Sequence, residues 1–180
     1  RFMRVPGAIR PGPLAAPRRP FHDAWKRAVG RANSGGNPLE KPQQGPLTRG
    51  IHHVGLTVPD VEATAAFFTG ILGMNEVGRR PAYPAIFVSD GTVMLTLWQA
   101  ETAAAATPFD RRRNIGLHHL ALAVADTATL DALHGTLAGT AGVDVEFAPE
   151  PLGSIPFRHM MCAIPGGVRI EFIAPVAAAQ

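Results

Sequence analysis

Residues 50–60 read GIHHVGLTVPD and residues 116–126 read GLHHLALAVAD, and the relation between the two stretches decides the fold. Six of the eleven positions are identical at a constant offset of 66, and most of the others exchange one apolar or small residue for another. A repeat of this kind marks one structural unit used twice. In the first copy Val54, Leu56 and Val58 alternate with His53, Gly55 and Thr57, the period of two that belongs to a strand with one apolar face. Asp60 then suits a helix N-cap, and Val61, Ala65, Phe68 and Leu72 recur at helical spacing up to a stop at Gly73. In the second copy Asp126 caps a helix carrying Leu130, Leu133 and Leu137 that ends near Gly139.

Three strand-like runs complete each unit, residues 75–79, 85–89 and 93–99 in the first and 143–147, 158–163 and 168–173 in the second. The chain therefore divides into a Pro/Arg-rich extension (1–49), a first βαβββ module (50–100), a linker (101–114), a second module (115–175) and a short tail (176–180). The fold class is α+β. One such unit has a sheet face that its helix cannot cover, so two curved sheets are expected to pair into a half-open, mixed-sheet barrel whose inner wall carries the residues pointing away from the helices.

Charge is unevenly spread. Residues 1–49 hold ten Lys and Arg against Asp23 and Glu40, whereas residues 50–180 hold seven against twelve acids. The basic pI of about 9.7 thus belongs to the extension, and the mildly acidic folded part gives no reason to expect a nucleic-acid partner. No apolar run is long enough to span a membrane, and the single Cys162, set in an apolar stretch, favours a cytoplasmic protein with an inert buried thiol. The extension carries eight of the seventeen prolines, and the fold is not expected to depend on it. Its Arg-rich, acid-poor composition also resembles an organellar targeting segment. A short helix over residues 21–29, with Phe21, Trp25 and Val29 on one face, would dock on the domain if formed.

Period-two geometry selects between the paired histidines. With the apolar set of each strand facing its helix, His53 and His119 face the cup, while His52 and His118 lie toward the helices or the edge. In the run VRIEFI, Glu171 alternates with Ile170 and Phe172, which puts a carboxylate on the concave side. A buried carboxylate calls for a cation. Two neutral imidazoles and one carboxylate, with positions left open, suit a single divalent ion such as Fe, Mn, Zn or Ni. His159 shares parity with Met161 and is a candidate acid or base beside this site. Arg111, Arg112 and Arg113 either attract an anionic substrate or form a solvated linker, and Trp98 and Phe157 serve as pocket wall or core.

These motifs resemble the vicinal-oxygen-chelate superfamily, which includes glyoxalase I, fosfomycin-modifying transferases, extradiol dioxygenases and bleomycin-binding proteins. The resemblance rests on HVGLTVPD at 53–60, FFTGILGM at 67–74, the second histidine strand from His119 to Asp126, and PGGVRIE at 165–171. It implies that the first-strand histidine of each module and the last-strand glutamate of the second, here His53, His119 and Glu171, are the metal ligands. Glyoxalase I takes a fourth ligand from the last strand of the first module, where this chain has Thr96. The extradiol pattern of an upstream histidine and tyrosine is absent from residues 154–171, and the usual Asp-Pro-Asp-Gly turn is replaced by IPGG at 164–167. The expectation is a metal-dependent, glyoxalase-like lyase or isomerase in which Glu171 also shuttles a proton. An Fe(II) dioxygenase and a metal-free binding protein are the alternatives. A small-molecule substrate is the expected partner, with a homodimer an open alternative to pairing of the modules within one chain.

Overall fold

The computed structural model describes residue 48 and residues 50–177. The extension apart from residue 48, and with it the expected helix over residues 21–29, lies outside the described residues.

Strand β1 (His53–Val58) buries Leu56 and Val58 and leaves His53, Gly55 and Thr57 exposed, which is the alternation read from the sequence. Helix α1 (Val61–Ala66) begins where the Asp60 side chain accepts the Ala63 N–H at 2.9 Å. It does not continue as a regular helix. From Phe67 to Ile71 the turn widens to π geometry, with Leu72 N–H reaching the Phe67 carbonyl and the Thr69 hydroxyl donating to the Ala65 carbonyl at 3.0 Å. The widened turn sends two consecutive rings inward, so Phe67 and Phe68 pack edge to face with centroids 5.5 Å apart. Gly73, at φ +68, ends the segment in the left-handed conformation.

Strands β2 (Asn75–Arg80), β3 (Ala85–Ser89) and β4 (Met94–Gln99) complete the first sheet in the order β1-β4-β3-β2, with β1 parallel to β4 and the rest antiparallel. A short 3-10 turn at Ala103–Ala105 lies in the linker. The second module repeats the plan. Strand β5 (Leu120–Ala123) leads to α2 (Thr127–Ala138), capped by Asp126, and then to β6 (Asp144–Pro151), β7 (Phe157–Ala163) and β8 (Arg169–Pro175), in the order β5-β8-β7-β6.

The α+β reading of two βαβββ modules therefore holds. Among the described residues the sheets remain two four-stranded ladders, and no closed barrel forms. One continuous core joins the modules, from Leu56, Phe68 and Leu97 on one side to Leu130, Met160 and Phe172 on the other. They also meet at a polar point, where the Thr64 hydroxyl donates to the Pro165 carbonyl at 3.2 Å. Cys162 lies fully buried in β7, and burial pushes its thiol up to about 11. Among the described residues no helix is long and apolar enough to cross a membrane.

Candidate functional site

The register of the second sheet assembles a cluster of polar groups on its open face. Ala121 of β5 lies opposite Glu171 of β8, and Met161 of β7 lies opposite Glu171 on its other side. His119 precedes β5 by one residue, and His159 sits two residues before Met161, so both share the face of Glu171. Glu171 is only 9% exposed, in a strand whose other buried residues, Arg169 apart, are apolar. It is bracketed by two imidazoles. His119 Nε2 lies 3.1 Å from Oε2, and His159 Nδ1 lies 2.5 Å from Oε1. The far nitrogen of His159 points toward the exposed carboxylate of Glu150 at 3.9 Å, and its ring meets Phe147 edge-on at 5.1 Å.

A second polar group braces the first. Arg169, two residues before Glu171 on the same face, is clamped by both oxygens of Glu146 at 2.6 and 2.7 Å. Its remaining amino group donates to the His118 carbonyl at 3.3 Å, tying the start of β5 to β8 beside His119. Arg111 from the linker approaches Glu146 at 3.6 Å. The Arg169 hydrogen bonds hold the Glu146 carboxyl below the usual carboxylate range, and Glu146 in turn raises the Arg169 guanidinium. Desolvation, reinforced by the charge of Arg169, lowers the His118 imidazole.

Of the sequence-derived residues, His119, Glu171 and His159 are thus brought together. His53 is not in contact with them: its Nδ1 lies 2.9 Å from that of His52, as the Nδ1 of His119 lies 2.8 Å from that of His118. Among the described residues no three His, Cys, Asp or Glu side chains are arranged to hold a metal ion. Thr96 occupies the position in the first sheet that Glu171 holds in the second, opposite Gly55, and accepts the Trp98 indole N–H at 3.0 Å. Phe157 is core, Trp98 half-buried, and Arg113 turns back to Asp110. Sequence reading missed Glu146 and Glu150. Both lie on β6, whose pairing with β7 shifts register twice, between Val145 and Phe147 and between Phe147 and Glu150, so alternation cannot be counted along it.

A cavity of about 480 Å³ opens beside this cluster. Gly55 and Thr57 from the open face of β1, Phe109, Ile115 and Leu117 from the linker and the approach to β5, and His119 border it. Residues of both faces of β1 border the cavity, and from the polar cluster of the second sheet His119 and Arg169 reach it.

Residues 50–172 match the family model described as the Glyoxalase/Bleomycin resistance protein/Dioxygenase superfamily. No curated protein matches the chain in sequence. Among solved structures, a glyoxylase/bleomycin resistance protein/dioxygenase domain from Frankia is similar at 25% identity and TM-score 0.59, over 73% of this chain and 96% of that one. A lactoylglutathione lyase from Agrobacterium tumefaciens, at 18% identity and TM-score 0.55, is covered to 96% by 72% of this chain. A genomically encoded fosfomycin resistance protein from Listeria monocytogenes, at 16% identity and TM-score 0.57, is covered to the same extent. The last two likenesses are of fold.

Proposed function

We propose that this chain, which belongs to the glyoxalase/bleomycin resistance protein/dioxygenase superfamily, is a divalent-metal-dependent lyase or isomerase acting on a small oxygenated substrate. The observation that carries this reading is the Glu171 carboxylate, buried between two imidazoles. His119 Nε2 and Glu171 Oε2 are 3.1 Å apart, a spacing that suits two ligand atoms sharing one ion at bond lengths of about 2.0–2.2 Å. His53 is assigned as the third ligand. Fe, Mn, Zn or Ni suits this donor set, and when bound such an ion supplies Lewis-acid polarisation of the substrate's oxygens.

The chain's own groups then divide the remaining work. Glu171 takes a proton from the carbon next to the polarised oxygen, and His159 Nδ1, against Oε1, orients the carboxylate and shares that proton. Return of the proton to a neighbouring atom completes an isomerisation; in a lyase reaction the carbon–heteroatom bond breaks instead and the proton passes to the departing heteroatom group, again with no net oxidation. Arg169 and Glu146 fix the approach to β5 from which His119 projects. Leu117, Ile115 and Phe109 give the cavity beside His119 an apolar, solvent-facing flank against which an apolar part of the substrate can rest. A cytoplasmic enzyme is the setting we assign.

Metal content per chain, measured by plasma mass spectrometry, tests the reading. His53→Ala, His119→Ala and Glu171→Ala should each lose most of the bound metal, whereas His52→Ala and His118→Ala should keep it. Equal occupancy in the His53 and His52 variants would overturn the ligand set. Mixing the His53 and Glu171 variants tells whether a site is built within one chain or across two copies, since only the second arrangement regains metal in the mixture. Thr96, a neutral hydroxyl at the position of a possible fourth ligand, is the observation favouring an oxygenase, because it leaves a three-ligand set. Oxygen consumption by the Fe(II)-loaded protein would decide for that second reading.

A further inference from the structure

The two modules share a fold but not a chemistry. Where the second sheet places Glu171, Met161 and His159 on its open face, the equivalent register of the first sheet places Thr96, Phe87 and Ala85. Trp98 joins them, and the result is an aromatic floor: Trp98 lies 5.9 Å from Phe87 and 5.2 Å from Tyr83, ring centre to ring centre. Two glycines keep it clear. A Cβ at Gly78 would come within 3.0 Å of the Phe87 ring, and one at Gly55 within 3.3 Å of the Thr96 hydroxyl and 3.7 Å of the Trp98 indole nitrogen. Tyr83 remains 61% exposed, so the floor is open to solvent at that end.

A cation stands beside it. The Arg80 guanidinium sits 5.9 Å from the Phe87 ring centre, and among the described residues it has no carboxylate partner, whereas the adjacent Arg79 is taken up by Glu62 and Glu76. The floor lies one strand from the cavity's edge: Trp98 pairs in register with Thr57, one of the residues that border the cavity. We propose that this face is the substrate-recognition surface, and that it takes a small aromatic anion: the ring stacks on Trp98 and Phe87, and the anionic group meets Arg80. The inference rests on the enzyme reading above only in calling the ligand a substrate.

Trp98 reports on its own site, since Trp25 is the only other tryptophan. In full-length protein carrying Trp25→Phe, benzenesulfonate, an aromatic anion and a poor metal ligand, should quench Trp98 emission saturably. Methanesulfonate should not, and neutral benzamide should bind more weakly. Arg80→Met should weaken benzenesulfonate about fivefold, the scale of one exposed charge pair, and leave benzamide unchanged. Phe87→Leu should weaken both. A non-saturable response, equal binding of methanesulfonate, or indifference to Arg80→Met would overturn the proposal. Emission that follows protein concentration rather than benzenesulfonate would assign the face to a second copy and overturn it equally. Metal content of the same samples separates the two readings: ring binding without metal sinks only the enzyme reading, and metal without ring binding sinks only this one.

Discussion

Arg169 shows how one side chain can serve both stability and site geometry. It is only 8% exposed, and its charge is matched by a two-point clamp from Glu146. Glu146→Gln removes the opposing charge while keeping the shape, and should destabilise the protein by about 2 kcal/mol in urea unfolding, the worth of hydrogen bonds to a charged group. The pH dependence has a definite sign. Glu146 has a folded-state pKa below its unfolded value, so its contribution is complete above the ordinary carboxylate range and disappears as pH falls through the lowered folded value. The wild-type advantage over Glu146→Gln should therefore be constant between neutral pH and about pH 5, and shrink below it. Parity in the sequence put His53, His119 and Glu171 on the concave side with His159 beside them, and of these His119, Glu171 and His159 stand together whereas His53 lies against His52. Glu146 was not legible in this way, because bulges on β6 break the count that parity needs.

Among the elements, the tight turn joining β7 to β8 offers an internal control. Gly166 and Gly167 both hold positive φ, +98 and +80, so any side chain is strained at either position. Only Gly166 is also confined. A Cβ there would lie 3.2 Å from the Pro59 ring and 3.3 Å from the Thr64 hydroxyl, which belong to the other module, while Gly167 has open space around it. Gly167→Ala should cost about 1 kcal/mol from backbone strain alone, and Gly166→Ala should cost more. The difference, read as a gap between the two melting curves, measures the pressure at the contact between modules. The helices show what periodicity can and cannot deliver. Asp60 and Asp126 were identifiable as caps because an acid before an apolar-periodic run has one good use. Burial of Phe67 was not, since a strict 3.6 period selects Phe68 and the turn departs from that period at this point.

At the scale of the whole molecule, the repeat spans residues 50–126 at its two anchors, and the continuous core is built from residues 54–174. Deleting residues 1–46 should leave the melting temperature within a few degrees and the metal content unchanged, and a large loss of stability would make Phe21 and Trp25 part of the core. The relative placement of the modules was the part of the fold that the sequence left open, because two halves of the same plan can pair within or between chains and no local pattern distinguishes the two. Cys162 supplies a way to follow the molecule as a unit. It is the single thiol of the chain, fully enclosed in the second sheet and opposite Ile170, with an ionisation pushed far from neutral pH. A chromogenic disulfide reagent can reach it only when β7 parts from its neighbours, so when reclosing outpaces labelling the rate of colour formation reports the equilibrium for opening in plain buffer. That rate should be several orders of magnitude below the rate for an exposed thiol, and should rise in step with the urea-derived losses for Glu146→Gln and Gly166→Ala. The protein thus carries its own clock for native-state opening, readable without an engineered probe or denaturant.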